Sequence, residues 1–166
     1  LFTNWDRGND ISNMARAFGL GSPTGIEQVD EAAGQIIEPA SDVDAVNQAI
    51  GQGDMQVTPL QVARFMAAIA NGGTLYRPQL IEEIKPVEGE SKLVFRPEAN
   101  GTLPLRTENL DILREALLMV TQNPKGTAAF NLRGLQFDVA GKTGTAESNT
   151  GNGKSHAWFA GYTLYE

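Results

Sequence analysis

The sequence contains no cysteine. That excludes a disulfide framework, a thiolate metal site and a thiol nucleophile. Histidine is nearly as scarce: His156 stands alone, so an imidazole-based triad would rest on it, and no Ser-His-Asp pattern accompanies it. A structural or surface role is expected for it. Basic side chains are in the minority, thirteen Lys and Arg against twenty Asp and Glu, for a formal charge of -7. With no basic run to offset that balance, a nucleic-acid surface is not expected. No apolar run approaches the roughly 20 residues that a bilayer span requires, and the opening LFTNWDRGND lacks the basic and apolar regions of a secretory signal.

What is present suits one domain. A chain of 166 residues that is 41% hydrophobic can bury one ordinary core. It begins without Met on Leu1-Phe2 and stops at Leu164-Tyr165-Glu166 inside what reads as a strand, so a fragment of a longer protein is expected.

Helical spacing of Ile11, Met14, Ala15 and Phe18 predicts a short helix over Asp10 to Phe18, capped by Asn9 or Asp10 and stopped by Gly19. From Ser22 to about Asn47 the chain is rich in Glu, Asp, Gly and Pro and reads as loop. Thr58 to Ala70 carries the strongest helix signal, with Thr58 and Gln61 in a capping-box pattern, Pro59 at the first position and Asn71-Gly72-Gly73 as a stop. It is apolar over most of its girth and is expected to be largely buried. Tyr76 to Val87 and Lys92 to Arg96 read as a hairpin or two exposed strands. A second amphipathic helix is predicted from Thr107 to Thr121, and Asn123-Pro124 ends it. The last third alternates with period two: Leu135, Phe137 and Val139 lead to Gly141, and Trp158, Ala160, Tyr162 and Leu164 follow Ser155. The polar stretch from Glu147 to Gly153 between them predicts one antiparallel hairpin.

Two Gly-Lys-hydroxyl triplets occur in that hairpin, Gly141-Lys142-Thr143 and Gly153-Lys154-Ser155. A phosphate loop needs Gly, four residues, then Gly-Lys-Ser/Thr. Gln136 and Ser148 occupy the required glycine positions, and neither triplet opens a helix. Nucleotide binding through Lys142 or Lys154 is therefore a minor alternative. On a strand, Lys142 and Gly144 face one way and Thr143 and Thr145 the other. At a sheet edge such a run offers a cation, hydroxyls and free backbone N–H groups, which suits an extended ligand added as a strand or an oxyanion hole. Asp42, Asp44 and Asp54 match no calcium-loop spacing, and a carboxylate pair of Asp138 and Glu147 would leave the Thr-Gly-Thr run without a role.

Lys142-Thr143-Gly144-Thr145-Ala146-Glu147, followed by His156-Ala157-Trp158-Phe159-Ala160-Gly161-Tyr162, resembles the K-T-G strand and the next strand of penicillin-binding protein transpeptidases. "ARAFGLGSPTGIE" (Ala15 to Glu27) and "AIGQGDMQVTPLQVARFMAAIANGGTLYRPQLI" (Ala49 to Ile81) resemble the same family in the same order, most of all its class B, monofunctional members. The resemblance implies an α/β (α+β) fold, an antiparallel sheet flanked by helices of the penicillin-binding protein and serine β-lactamase type. Residues 1–166 would be the C-terminal portion of one such domain.

The family's S-x-x-K and S-x-N motifs are missing: none of Ser12, Ser22, Ser41, Ser91, Ser148 or Ser155 has Lys three or Asn two positions on. In the family both motifs lie N-terminal to this segment, and a last strand and helix follow it. The resemblance implies D-alanyl-D-alanine transpeptidation through a serine acyl-enzyme, with the nucleophile outside the chain and the isolated chain inactive. Lys142 would supply charge toward the substrate carboxylate, Thr143 and Thr145 would hydrogen-bond it, Gly144 would allow close approach, and the Thr145 N–H would form half of the oxyanion hole. Glu147 and Trp158 are weaker substrate contacts. Implied partners are the peptidoglycan stem peptide, β-lactam antibiotics, the rest of the domain and the cell-wall synthesis machinery, with neither metal nor cofactor. The implied place is the extracytoplasmic face of the membrane, held by an N-terminal anchor absent from this sequence. A non-catalytic β-lactam sensor or scaffold is the main alternative.

Overall fold

The computed structural model describes residues 9–27, 29–90, 93–147 and 154–164. The strongest helix signal becomes α3, Pro59–Asn71, numbered after α1 (Asp10–Ala17) and α2 (Asp42–Ala49). Thr58 Oγ1 accepts from the Gln61 N–H at 3.2 Å while Gln61 Oε1 accepts from the Thr58 N–H at 3.1 Å, closing the capping box. Gln61 does more than cap. Its Nε2 donates to the carbonyls of Ser22 (2.7 Å) and Ala33 (2.8 Å), so this fully buried amide ties the irregular segment after α1 to the start of α3.

Three two-stranded antiparallel sheets accompany the helices among the described residues. β1 (Thr74–Tyr76) pairs with β4 (Ala99–Thr102), β2 (Glu83–Ile84) with β3 (Leu93–Val94), and β5 (Asp138–Ala146) with β6 (His156–Leu164). Between β4 and β5 lie α4 (Thr107–Gln122) and the one-turn α5 (Ala129–Leu132). The core joins α3, α4 and the β5–β6 hairpin: Met66, Ile69, Leu110, Leu117 and Ala140 are buried together, with Leu75 and Leu103 from the β1–β4 pair. Phe18, just past α1, meets Phe65 edge to face at 5.8 Å. Burial of these side chains holds two helices against one face of the hairpin.

Several expectations need correction. The segment read as loop to Asn47 contains α2, capped by Ser41, whose Oγ accepts from the Asp44 N–H at 3.2 Å. Asn9 precedes α1 at φ 68 without a side-chain cap, so neither candidate cap acts as one. Tyr76 does not begin the long hairpin; it belongs to β1, and the β2–β3 pairing is only two residues deep. Helix α3 is less enclosed than its composition suggests, because Ala63, Ala67 and Ala70 form an exposed stripe. Part of the connection from Glu147 to Gly153 lies outside the described residues.

Buried Thr24 shows how the irregular segment holds together. The Glu31 carboxylate accepts from the Thr24 N–H (3.0 Å), the Thr24 hydroxyl (2.8 Å) and the Gly25 N–H (2.9 Å). Burial pushes the Glu31 carboxyl up, and the hydrogen bonds from Thr24, Gly25 and Ile26 outweigh it, leaving the group below its ordinary 4.5. A carboxyl depressed in the folded state stabilises above its unfolded value and loses that contribution as pH falls through its folded value. Glu31→Gln is therefore expected to cost about 1 kcal/mol at pH 7. Thermal melts at stepped pH should show the gap between the two proteins closing below 4.5.

Candidate functional site

The β5–β6 register sets the site. Lys142 lies opposite Ala160, Thr143 opposite Phe159, Gly144 opposite Trp158 and Thr145 opposite Ala157. Opposed residues share a face, so Lys142 and Gly144 lie with Ala140, Trp158, Ala160 and Tyr162, while Thr143 and Thr145 lie with Gly141 and Phe159. The first is the face packed on the helices, since Ala140 is buried there with Ala160 and Tyr162 against it. Burial pushes the Tyr162 phenol up, opposed in part by the Arg114 charge.

Glycines face each other in the middle of the hairpin. Gly141 is opposed to Gly161, and a Cβ on Gly141 would stand 2.5 Å from Phe159 Cζ and 2.7 Å from the Ala160 carbonyl oxygen. One of those contacts is backbone, so rotating a side chain cannot clear it. Gly141→Ala is expected to destabilise by about 1–3 kcal/mol through overpacking. A denaturant titration of variant and parent measures it.

The outer edge of β5 carries the polar chemistry. Thr121 Oγ1 donates to the Val139 carbonyl, Lys142 Nζ to the Thr143 carbonyl (2.7 Å), and Gln52 Nε2 to the Thr145 carbonyl (3.1 Å). All three acceptors belong to the same alternate set of the strand and are reached by side chains. In an antiparallel ladder, alternate residues turn both N–H and C=O away from the partner strand. The N–H groups of Thr143 and Thr145 therefore lie on the edge opposite β6, and no third strand covers that edge among the described residues.

Around this edge, Lys142 lines an open groove with Ala116, Met119, Asn123 and Thr127, and its ammonium also approaches Thr143 Oγ1 at 3.5 Å. Thr127 and Thr143 share a hydroxyl–hydroxyl hydrogen bond of 2.8 Å. The structure thus brings Lys142, Thr143, Gly144 and Thr145 together as one strip. Trp158 sits on the Lys142 side of the sheet, and exposed Glu147 lies just past the end of β5. Gln52 and Thr127 were not singled out in the sequence, because their partners lie 93 and 16 residues away.

Chemically, the strip can hold an anion with a cation and two hydroxyls, pair with an extended ligand, and present a backbone N–H to a developing negative oxygen. Ser12 is buried and bonded to the Ile37 carbonyl, and Ser41 caps α2, so neither belongs to this edge. Among the described residues no group of three or more His, Cys, Asp or Glu could hold a metal ion, and no described helix is long and apolar enough to cross a membrane. Lys142 lies within a strand and Lys154 leads into one, unlike the lysine of a phosphate loop.

The family model described as penicillin binding protein transpeptidase domain matches residues 7–166. The peptidoglycan D,D-transpeptidase PbpA of Mycolicibacterium smegmatis is 35% identical over 159 residues, covering 92% of this chain and 30% of its own length. Among solved structures, penicillin-binding protein 2B of Streptococcus pneumoniae strain R6 superposes with a TM-score of 0.75 at 26% identity, over 95% of this chain and 28% of that one. Penicillin-binding protein A of Mycobacterium tuberculosis, solved as an imipenem acyl-enzyme complex, gives a TM-score of 0.72 at 29% identity, over 92% of this chain and 33% of that one. The chain spans less than a third of the length of the curated relatives it matches first.

Proposed function

The chain belongs to the penicillin-binding protein transpeptidase family, and from that premise we propose that it is the C-terminal portion of a transpeptidase domain that cross-links peptidoglycan. The observation that carries this reading is the open β5 edge, where Lys142, Thr143, Gly144 and Thr145 stand in one strip with the Thr143 and Thr145 N–H groups turned away from β6.

The proposed reaction is a serine acyl transfer. A serine of the S-x-x-K motif, outside residues 1–166, attacks the carbonyl carbon of the penultimate D-alanine of a stem peptide. The peptide C–N bond breaks, the terminal D-alanine leaves as the protonated amine, and the peptide remains as a serine ester. An amine of a second stem peptide then attacks the ester, forming the cross-link and releasing the serine. A β-lactam enters the same step: its ring amide opens onto the serine and its amine stays tethered.

In this reaction the Lys142 ammonium draws in the terminal carboxylate of the donor peptide, and the Thr143 and Thr145 hydroxyls hydrogen-bond it. Gly144 carries no side chain to hold the ligand off the strand. The Thr145 N–H, with that of the serine, stabilises the tetrahedral oxyanion. Glu147 and Trp158 border the strip as lesser contacts. The remainder of the domain, an N-terminal membrane anchor and the cell-wall synthesis machinery complete the working assembly on the extracytoplasmic face.

The test is release of D-alanine from a D-alanyl-D-alanine-terminated stem peptide. The complete protein is expected to release it and to stop when pretreated with a β-lactam, while residues 1–166 alone release none. Turnover by the isolated chain would overturn the placement of the nucleophile; none from the complete protein would favour a sensor or scaffold.

A further inference from the structure

The loop after α2 reaches across the molecule to the β5 edge. Gln52 Nε2 donates to the Thr145 carbonyl at 3.1 Å from 93 residues away. The reach is built into the loop: Gly51 and Gly53 flank Gln52 at φ 75 and 101, and the Gln52 N–H turns back to the Asn47 carbonyl at 2.8 Å. Both glycines hold left-handed conformations that side chains disfavour, so the loop presents the half-buried Gln52 in a defined place.

An extended ligand that adds to β5 needs both backbone groups of one edge residue, its own carbonyl on the N–H and its own N–H on the C=O. Val139 and Thr143 already have their edge carbonyls engaged by Thr121 and Lys142. Thr145 carries the N–H assigned above to the oxyanion, so the next ligand N–H falls on the Thr145 carbonyl. A primary-amide N–H of Gln52 now fills that position.

We infer that Gln52 caps the ligand-pairing edge of β5 and yields the Thr145 carbonyl to an incoming ligand amide. This rests on the transpeptidase reading. The ligand class that meets the cap is an acyl donor bearing an amide N–H beside the reacting carbonyl, as a stem peptide or an acylamino β-lactam does. A ligand without that N–H does not compete for the carbonyl. The lost contact is one partly exposed hydrogen bond, so removing the cap should raise the acylation rate constant by about two- to tenfold.

The experiment measures second-order acylation of the complete protein, and of its Gln52→Ala and Gln52→Asn variants, by benzylpenicillin, which has the amide, and by imipenem, which has a hydroxyethyl group instead. The expected result is faster acylation of both variants by benzylpenicillin, since the Asn side chain is one methylene too short to reach, with imipenem unchanged and the melting temperature kept. A loss with both ligands would mean that Gln52 positions the strand and does not compete; no change with either would remove the cap. Failure of both ligands to acylate the unmodified protein would instead strike the transpeptidase reading, and the inference with it.

Discussion

Replacing Thr145 with proline is expected to slow acylation of the complete protein by benzylpenicillin by about 10²–10³-fold, the usual effect of deleting one oxyanion donor. The substitution suits the position because the edge geometry makes it selective. Proline removes a backbone N–H, which in a paired strand costs a ladder hydrogen bond. Thr145 belongs to the alternate set turned away from β6, as the Gln52 contact to its carbonyl indicates, so no β5–β6 bond is lost. The hydroxyl goes as well, and Thr145→Val separates the two effects by keeping the N–H. If the N–H is the donor, Thr145→Val loses far less than Thr145→Pro, and circular dichroism of the two is the same. Equal acylation by the proline variant and the parent would remove Thr145 from the oxyanion role.

The second large effect is on folding. Gln61→Leu is expected to cost about 3–5 kcal/mol, because it strands several polar groups at once. The leucine keeps the volume but leaves the Thr58 N–H without its cap acceptor and the Ser22 and Ala33 carbonyls without their donor. Gln61 is only 1% exposed, so water cannot readily replace the amide. A cap lost alone would cost about 1 kcal/mol; the remainder comes from detaching the segment between Gly21 and Gly34, whose Gly21 N–H also approaches Gln61 Oε1 at 3.5 Å. Equilibrium urea unfolding measures the change. A loss near 1 kcal/mol would mean that the side chain acts as a cap only.

These two residues also mark how far the sequence could be read. The capping role of Gln61 is local, three residues from Thr58, and the sequence displays it; its hold on Ser22 and Ala33 spans 39 and 28 residues and leaves no local trace. Helix α2 was hidden for a different reason. Its two valines point outward, Val43 at 68% and Val46 at 49% exposure, while the small Ala45 and the polar Gln48 are the buried ones, so hydrophobic periodicity gave no helical signal there. The β5–β6 hairpin was legible because both strands alternate and their connection is short. The alternation alone separates Lys142 from Thr143 and Thr145; the register that sets Lys142 opposite Ala160 and Gly144 opposite Trp158 comes from the structure. Which edge of β5 stays open was not legible, since that depends on Thr121 and Gln52 arriving from distant elements. The roles assigned to the strip come from family resemblance, and the geometry supplies only the placement that those roles require.

The most direct test is the intact mass of the complete protein after incubation with benzylpenicillin, followed by proteolysis to locate the added mass, with residues 1–166 treated in parallel. One adduct is expected on the complete protein, carried by a serine outside residues 1–166, and none on the isolated chain. An adduct on any serine of this chain, or no adduct on the complete protein, would contradict that expectation.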